Sequence, residues 1–91
     1  MYSFIEFLLK YSFNIISMKN SEAKYHNIIA GNIRSLRQSK KLSQEKLAEL
    51  LNCSREFISR VENNKERISL NMLFKIAEVF KISPSNMFKH I

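Results

Sequence analysis

In the segment SREFISRVEN, residues 54–63, four side chains could do chemistry together: Arg55, Glu56, Ser59 and Arg60. At helical spacing they share one face, opposite Ile58 and Val61. The chemistry they suit is hydrogen bonding rather than bond making. An arginine fork donates twice to O6 and N7 of guanine, a glutamate accepts from N4 of cytosine, and a serine serves a base or a phosphate. Glu56 has a second option, which is to steer Arg55 or Arg60. Nothing in the chain assembles a catalytic site. It has no Asp, one Cys, one Gly and two His far apart, so hydrolysis, phosphoryl transfer and redox chemistry have no residues to carry them. No metal and no cofactor is expected. A lone cysteine excludes an internal disulfide and fits a reducing cytoplasm, and Cys53 reads as a core residue.

A base-reading face needs phosphate contacts around it to fix its register. The candidates are Lys41, Ser43, Gln44, Asn63, Lys65 and Arg67. Each alone reads as a solvated charge or a helix cap; together they supply several contacts. Gln44 opens a helix whose first N–H groups can meet a phosphate. Lys and Arg outnumber Glu by 15 to 8, giving a net charge of +7. Residues 1–17 carry only Glu6 and Lys10, so the whole surplus lies in residues 18–91. Such a surplus attracts polyanions, and charge alone admits DNA, RNA or an anionic membrane.

These side chains must be positioned by helices. Ninety-one residues with one Gly and one Pro leave little room for hairpins, and no strand is needed. Ile29, Ile33 and Leu36 predict a first helix over 27–39. Ser43 caps a second, with Leu47, Ala48 and Leu51 on its apolar side. Asn52-Cys53-Ser54 makes a tight turn, since Asn tolerates the left-handed conformation. Ser54 caps a third helix, which runs to about Asn63 and buries Ile58 and Val61, with Phe57 as a helper. Ser69 caps a fourth, with Leu70, Leu73, Phe74, Ala77 and Phe80. Ser83-Pro84 opens a fifth, with Met87, Phe88 and Ile91 apolar. A core this small gains from a second copy, and Met87, Phe88 and Ile91 are the side chains expected at a homodimer interface.

The stretch QEKLAELLNCSREFISRVEN has helix-turn-helix spacing, with small Ala48 where two helices cross. Ile33-Arg34-x-Leu36-Arg37, Leu42-Ser43-Gln44 with Leu47-Ala48, Ile58-Ser59-Arg60-x-Glu62-Asn63 and Ser69-Leu70-x-x-Leu73-x-x-Ile76-Ala77 carry a further likeness. On these residues the chain from Asn27 to Ile91 resembles the phage Cro/repressor family of DNA-binding domains. The resemblance implies an all-α, compact five-helix fold reading double-stranded DNA as a dimer. It implies that Gln44 touches the DNA backbone and that Arg37 and Glu62 form a structural pair between the first and third helices. Asn52 and Asn64 depart from the family, which commonly has Gly at both positions. The closing run ENNKERISLNMLFKIAEVFKISPSNMF is similar to the controller proteins of restriction-modification systems. The expected function is a transcription regulator on a near-palindromic operator. An autoregulating antitoxin with a toxin partner is one alternative, and a helix-turn-helix used only for protein interaction is another.

Residues 1–26 form a separate N-terminal extension in this reading. Phe4, Leu8, Tyr11 and Ile15 recur at helical spacing, while Ile5, Phe7, Leu9, Tyr11, Phe13 and Ile15 alternate like a strand. No basic region precedes the apolar run and no small-residue cleavage site follows it, so it does not read as a signal peptide. It is short for a membrane span and is interrupted by Glu6 and Lys10, so no membrane partner is expected. The extension is expected to be a non-essential leader, or to follow from an upstream start codon with the working protein beginning at Met18. The alternative is an apolar segment that packs on the domain or on a second subunit.

Overall fold

The computed structural model describes the backbone of residues 4–90 and the side chains of residues 22–90. The described residues form four α-helices and one short 3-10 turn: α1 Phe4–Ser39, α2 Gln44–Leu51, α3 Arg55–Glu62, α4 Leu70–Phe80 and the turn Pro84–Phe88. Among the described residues there is no strand. No helix among the described residues is long and apolar enough to cross a membrane.

Three serines start three helices in the same way. Ser43, Ser54 and Ser69 are extended, and their hydroxyls accept from the backbone N–H of Lys46, Phe57 and Met72. Each cap satisfies one of the donors that a helix start leaves free. The helix ends share a second device. Lys41, Asn52, Asn64 and Lys81 all take positive φ, between 55° and 58°. At each, the chain folds back so that two N–H groups bond into the last turn, as in Asn52 N–H to Glu49 O and Cys53 N–H to Ala48 O. The Asn52 turn is where the residue type pointed.

The buried cluster runs through every element: Ile29 and Ile33 from α1, Leu47, Ala48 and Leu51 from α2, Ile58 and Val61 from α3, Leu73, Ile76, Ala77 and Phe80 from α4, and Met87 from the closing turn. α1 packs on α3 and on the closing turn, while α2 packs on α3 and α4.

Three expectations change. The first helix does not start at Asn27. α1 is one helix of 36 residues that crosses position 27 without a break. No Pro and no Gly lies between Phe4 and Ala30 to stop it, and Asn27 does not cap; its Oδ1 accepts from the Asn64 side chain instead. Extension and domain therefore share a helix, and Glu22 within it accepts from Arg67 Nη1. The fifth helix is only a 3-10 turn. Asn32 Nδ2 donates to the carbonyls of both Met87 (2.8 Å) and Lys89 (2.6 Å), which ties the end of this turn to α1. Met87 is fully buried within the chain and has no surface to give to a partner. Ile91 lies outside the described residues.

The single glycine is out of place. Gly31 sits inside α1, and a Cβ there would meet nothing within 4 Å. The four left-handed positions, where Gly costs nothing, hold Lys and Asn. Gly31→Ala and Lys81→Gly should each raise stability by about 0.5–1 kcal/mol. Thermal unfolding at fixed protein concentration reads this as a rise in Tm of a few degrees; a fall for Lys81→Gly would mean that the Lys81 side chain stabilises the fold in some other way.

Candidate nucleic-acid interface

α3 turns Ile58 and Val61 into the core and leaves Arg55, Glu56 and Arg60 exposed, with Ser59 half-buried. Its last residue, Glu62, fixes how it lies. The Glu62 side chain is wholly buried. Arg37 meets it as a fork, donating from Nε to Oε2 at 2.7 Å and from Nη2 to Oε1 at 3.1 Å. Gln44 Nε2 donates to Oε1 at 3.1 Å. Arg34 Nη2 donates to the Glu62 carbonyl at 2.9 Å and to Asn63 Oδ1 at 3.2 Å. The third arm of Arg37, Nη1, donates to Leu42 O at 2.8 Å and holds the loop between α1 and α2. One carboxylate thus joins α1, α2 and α3, and no buried side-chain polar atom among the described residues lacks a partner.

The same bonds sort the candidate contacts. Gln44 spends an amide N–H on Glu62. The Ser43 hydroxyl accepts from Lys46 N–H. Asn63 donates to Ser59 O at 2.9 Å while accepting from Arg34. Arg67 is paired with Glu22, and Arg60 with Glu66 at 3.3 Å. Arg55, Glu56, Lys41 and Lys65 are exposed and make no side-chain hydrogen bond or ion pair among the described residues. Arg34, Asn32 and Glu66 are the participants that sequence reasoning missed. Asn32 left one signal, being a polar residue among the apolar positions Ile29, Ile33 and Leu36.

Cys53 is half-buried against the core. Burial pushes its thiol up from the ordinary value, with Lys75 pulling the other way. Away from α3, large apolar side chains remain exposed: Leu70 at 62%, Phe74 at 47%, Tyr25 at 45% and Phe88 at 38%. Tyr25 and Phe88 meet edge to face, with ring centres 5.9 Å apart. Beside them a shallow groove is lined by His26, Ile29, Ile68, Leu70, Leu73 and Phe88.

The helix-turn-helix family matches residues 33–86, which is more than half of the chain and spans α2, the Asn52 turn, α3 and α4. The chain belongs to this helix-turn-helix family. Within it, the chain is 38% identical over 56 residues to Control protein C.SmaI of Serratia marcescens, covering 62% of this chain and 67% of that one. It resembles the solved restriction-modification controller protein C.AhdI of Aeromonas hydrophila, with 32% identity and a TM-score of 0.64 over 68% of this chain and 94% of that one. It also resembles a hypothetical transcription factor, NHTF, from Neisseria, with 28% identity and a TM-score of 0.68 over 71% and 73% of the two chains. The likeness to controller proteins read from the closing run of the sequence is found in these relatives too. The helix-turn-helix match starts at Ile33, so α1 upstream of that residue lies outside the matched residues.

Truncating one partner of a buried ion pair strands the other charge and costs about 3–5 kcal/mol. Arg37→Leu should therefore destabilise the chain by about 3 kcal/mol. Adding Glu62→Leu should recover part of that loss, since the stranded carboxylate is removed. Urea unfolding of both variants measures it; a single substitution costing under about 1 kcal/mol would mean that water relieves Glu62.

Proposed function

We propose that the chain is a sequence-specific transcription regulator that binds double-stranded DNA through α3, as a homodimer on a near-palindromic operator. One observation carries the reading. The exposed face of α3 bears Arg55, Glu56 and Arg60, on a helix locked in place by the buried Glu62. A short helix held rigidly with its polar face outward suits the width of the major groove. Arg55 and Arg60 read bases, with Glu56 and Ser59 beside them. Lys41, Lys65 and Arg67 meet phosphates, together with Ser43, Gln44 and Asn63 through the groups their internal bonds leave free. Similarity to C.SmaI and C.AhdI favours a controller of a restriction-modification operon as the subtype.

Binding should weaken steeply as salt rises, because each neutralised phosphate releases counterions. Titration of duplex selected from a randomised pool, at two salt concentrations, tests this. Binding that is absent or indifferent to salt would leave the protein-interaction reading instead. Arg55→Ala should relax preference at one base pair per half-site, whereas Lys65→Ala should weaken all sequences about equally. An unchanged preferred sequence for Arg55→Ala would remove it from the reading face.

Two copies are needed because one motif reads only a few base pairs. The exposed apolar group of Phe88, Tyr25 and Leu70 supports an interface at the closing turn and α4, displaced from the buried Met87. Phe88→Glu should give monomers with unchanged helical content and much weaker operator binding. Sedimentation decides: a dimer that tolerates the new charge has its interface elsewhere.

A further inference from the structure

Glu66 stands out as a carboxylate beside the face proposed to meet DNA, where a negative charge opposes binding. Its oxygen Oε2 lies 3.3 Å from Arg60 Nε. Both side chains are substantially exposed, at 49% for Arg60 and 40% for Glu66, and an exposed pair adds little stability. Stability therefore does not account for the arrangement.

Its geometry suggests another role. A guanidinium has one N–H on Nε and four on its two Nη atoms. The bond to Glu66 occupies Nε and leaves both Nη groups free, which are the groups that fork onto guanine O6 and N7. A free arginine must lose much of its rotamer entropy to make that fork, and a bond formed beforehand removes part of the cost. Glu66 is itself held in place by the backbone. Asn64, with φ 58°, closes α3, its N–H bonds to Val61 O at 3.0 Å, and Lys65 N–H bonds to the carbonyl of Arg60 at 2.8 Å. The Asn64 side chain is tied in turn to Asn27 on α1. The loop that carries Glu66 is thus anchored to the residue it serves. Glu56, four residues before Arg60, forms no ion pair with it among the described residues.

We propose that Glu66 is a positioning residue for sequence recognition: it holds Arg60 with both Nη groups presented to a guanine, trading general affinity for choice of base. This rests on the reading of α3 as the base-reading helix. Glu66 touches no base itself, and its effect passes through Arg60.

The test uses the full chain and duplex DNA selected by the wild-type protein from a randomised pool. Glu66→Gln should move two quantities in opposite directions. Affinity for arbitrary duplex should rise by about threefold or more, because a charge facing phosphates is gone. Preference at the base pair read by Arg60 should fall by about tenfold, with other positions unchanged. Glu66→Asp should recover part of the preference. In an Arg60→Ala background, Glu66→Gln should still raise general affinity but change no base preference. Unchanged preference in Glu66→Gln, or a lost preference that persists without Arg60, overturns the proposal. If Arg60→Ala alone alters no base preference, the assignment of Arg60 to the reading face has failed as well. An unchanged Tm for Glu66→Gln keeps these outcomes separate from folding.

Discussion

A carboxylate without water must be surrounded by donors, and Glu62 is the group on which this structure turns. Its burial at the end of α3 would be prohibitive alone. Arg37 and Gln44 supply the donors, from α1 and from the first turn of α2, while Arg34 secures the backbone beside it. Apolar contact through Ile58 and Val61 makes α3 adhere to the core but, being non-directional, leaves its orientation open. The bidentate fork does not, because two parallel bonds fix an angle as well as a distance. The direction in which Arg55 and Arg60 point is therefore set by an ion pair at the C-terminal end of the same helix.

That division of labour explains how a small chain with one glycine can hold the exposed face of α3 in a defined orientation. α3 is only eight residues long, too short to be helical alone, and depends on its neighbours for existence as well as orientation. The residues that match the helix-turn-helix family, 33–86, include every side-chain donor to Glu62.

The parts of the fold that were legible in the sequence are those governed by local chemistry. A serine before an amphipathic run has few other uses, so Ser43, Ser54 and Ser69 marked their helix starts. Asn52 marked the turn because few side chains tolerate its backbone. Arg37 and Glu62 were legible through family likeness, but the sequence did not disclose that Arg34 and Gln44 join them. Non-local competition hid the rest. The start of α1 was obscured because a polar stretch with no Pro or Gly can simply continue a helix. The tie between the closing turn and α1 was hidden because it is made by Asn32, more than fifty residues upstream. Met87 looked like a surface residue because nothing local tells a core methionine from an exposed one. Glu66 could not be singled out, since its value lies in a six-residue loop-back onto Arg60 that requires Asn64 in a left-handed conformation.

One stretch of α1 bears on how the molecule comes apart. Within eleven residues, Asn27 holds the loop after α3, Asn32 holds the closing turn, and Arg34 and Arg37 hold α3 itself. A helix tied to so many elements cannot fray there without releasing all of them. Opening of that segment is then the same event as unfolding of the whole domain. Backbone amides of residues 32–37 should share the slowest hydrogen exchange in the chain, and the domain should behave as one cooperative unit rather than as a stable scaffold with a loosely held reading helix.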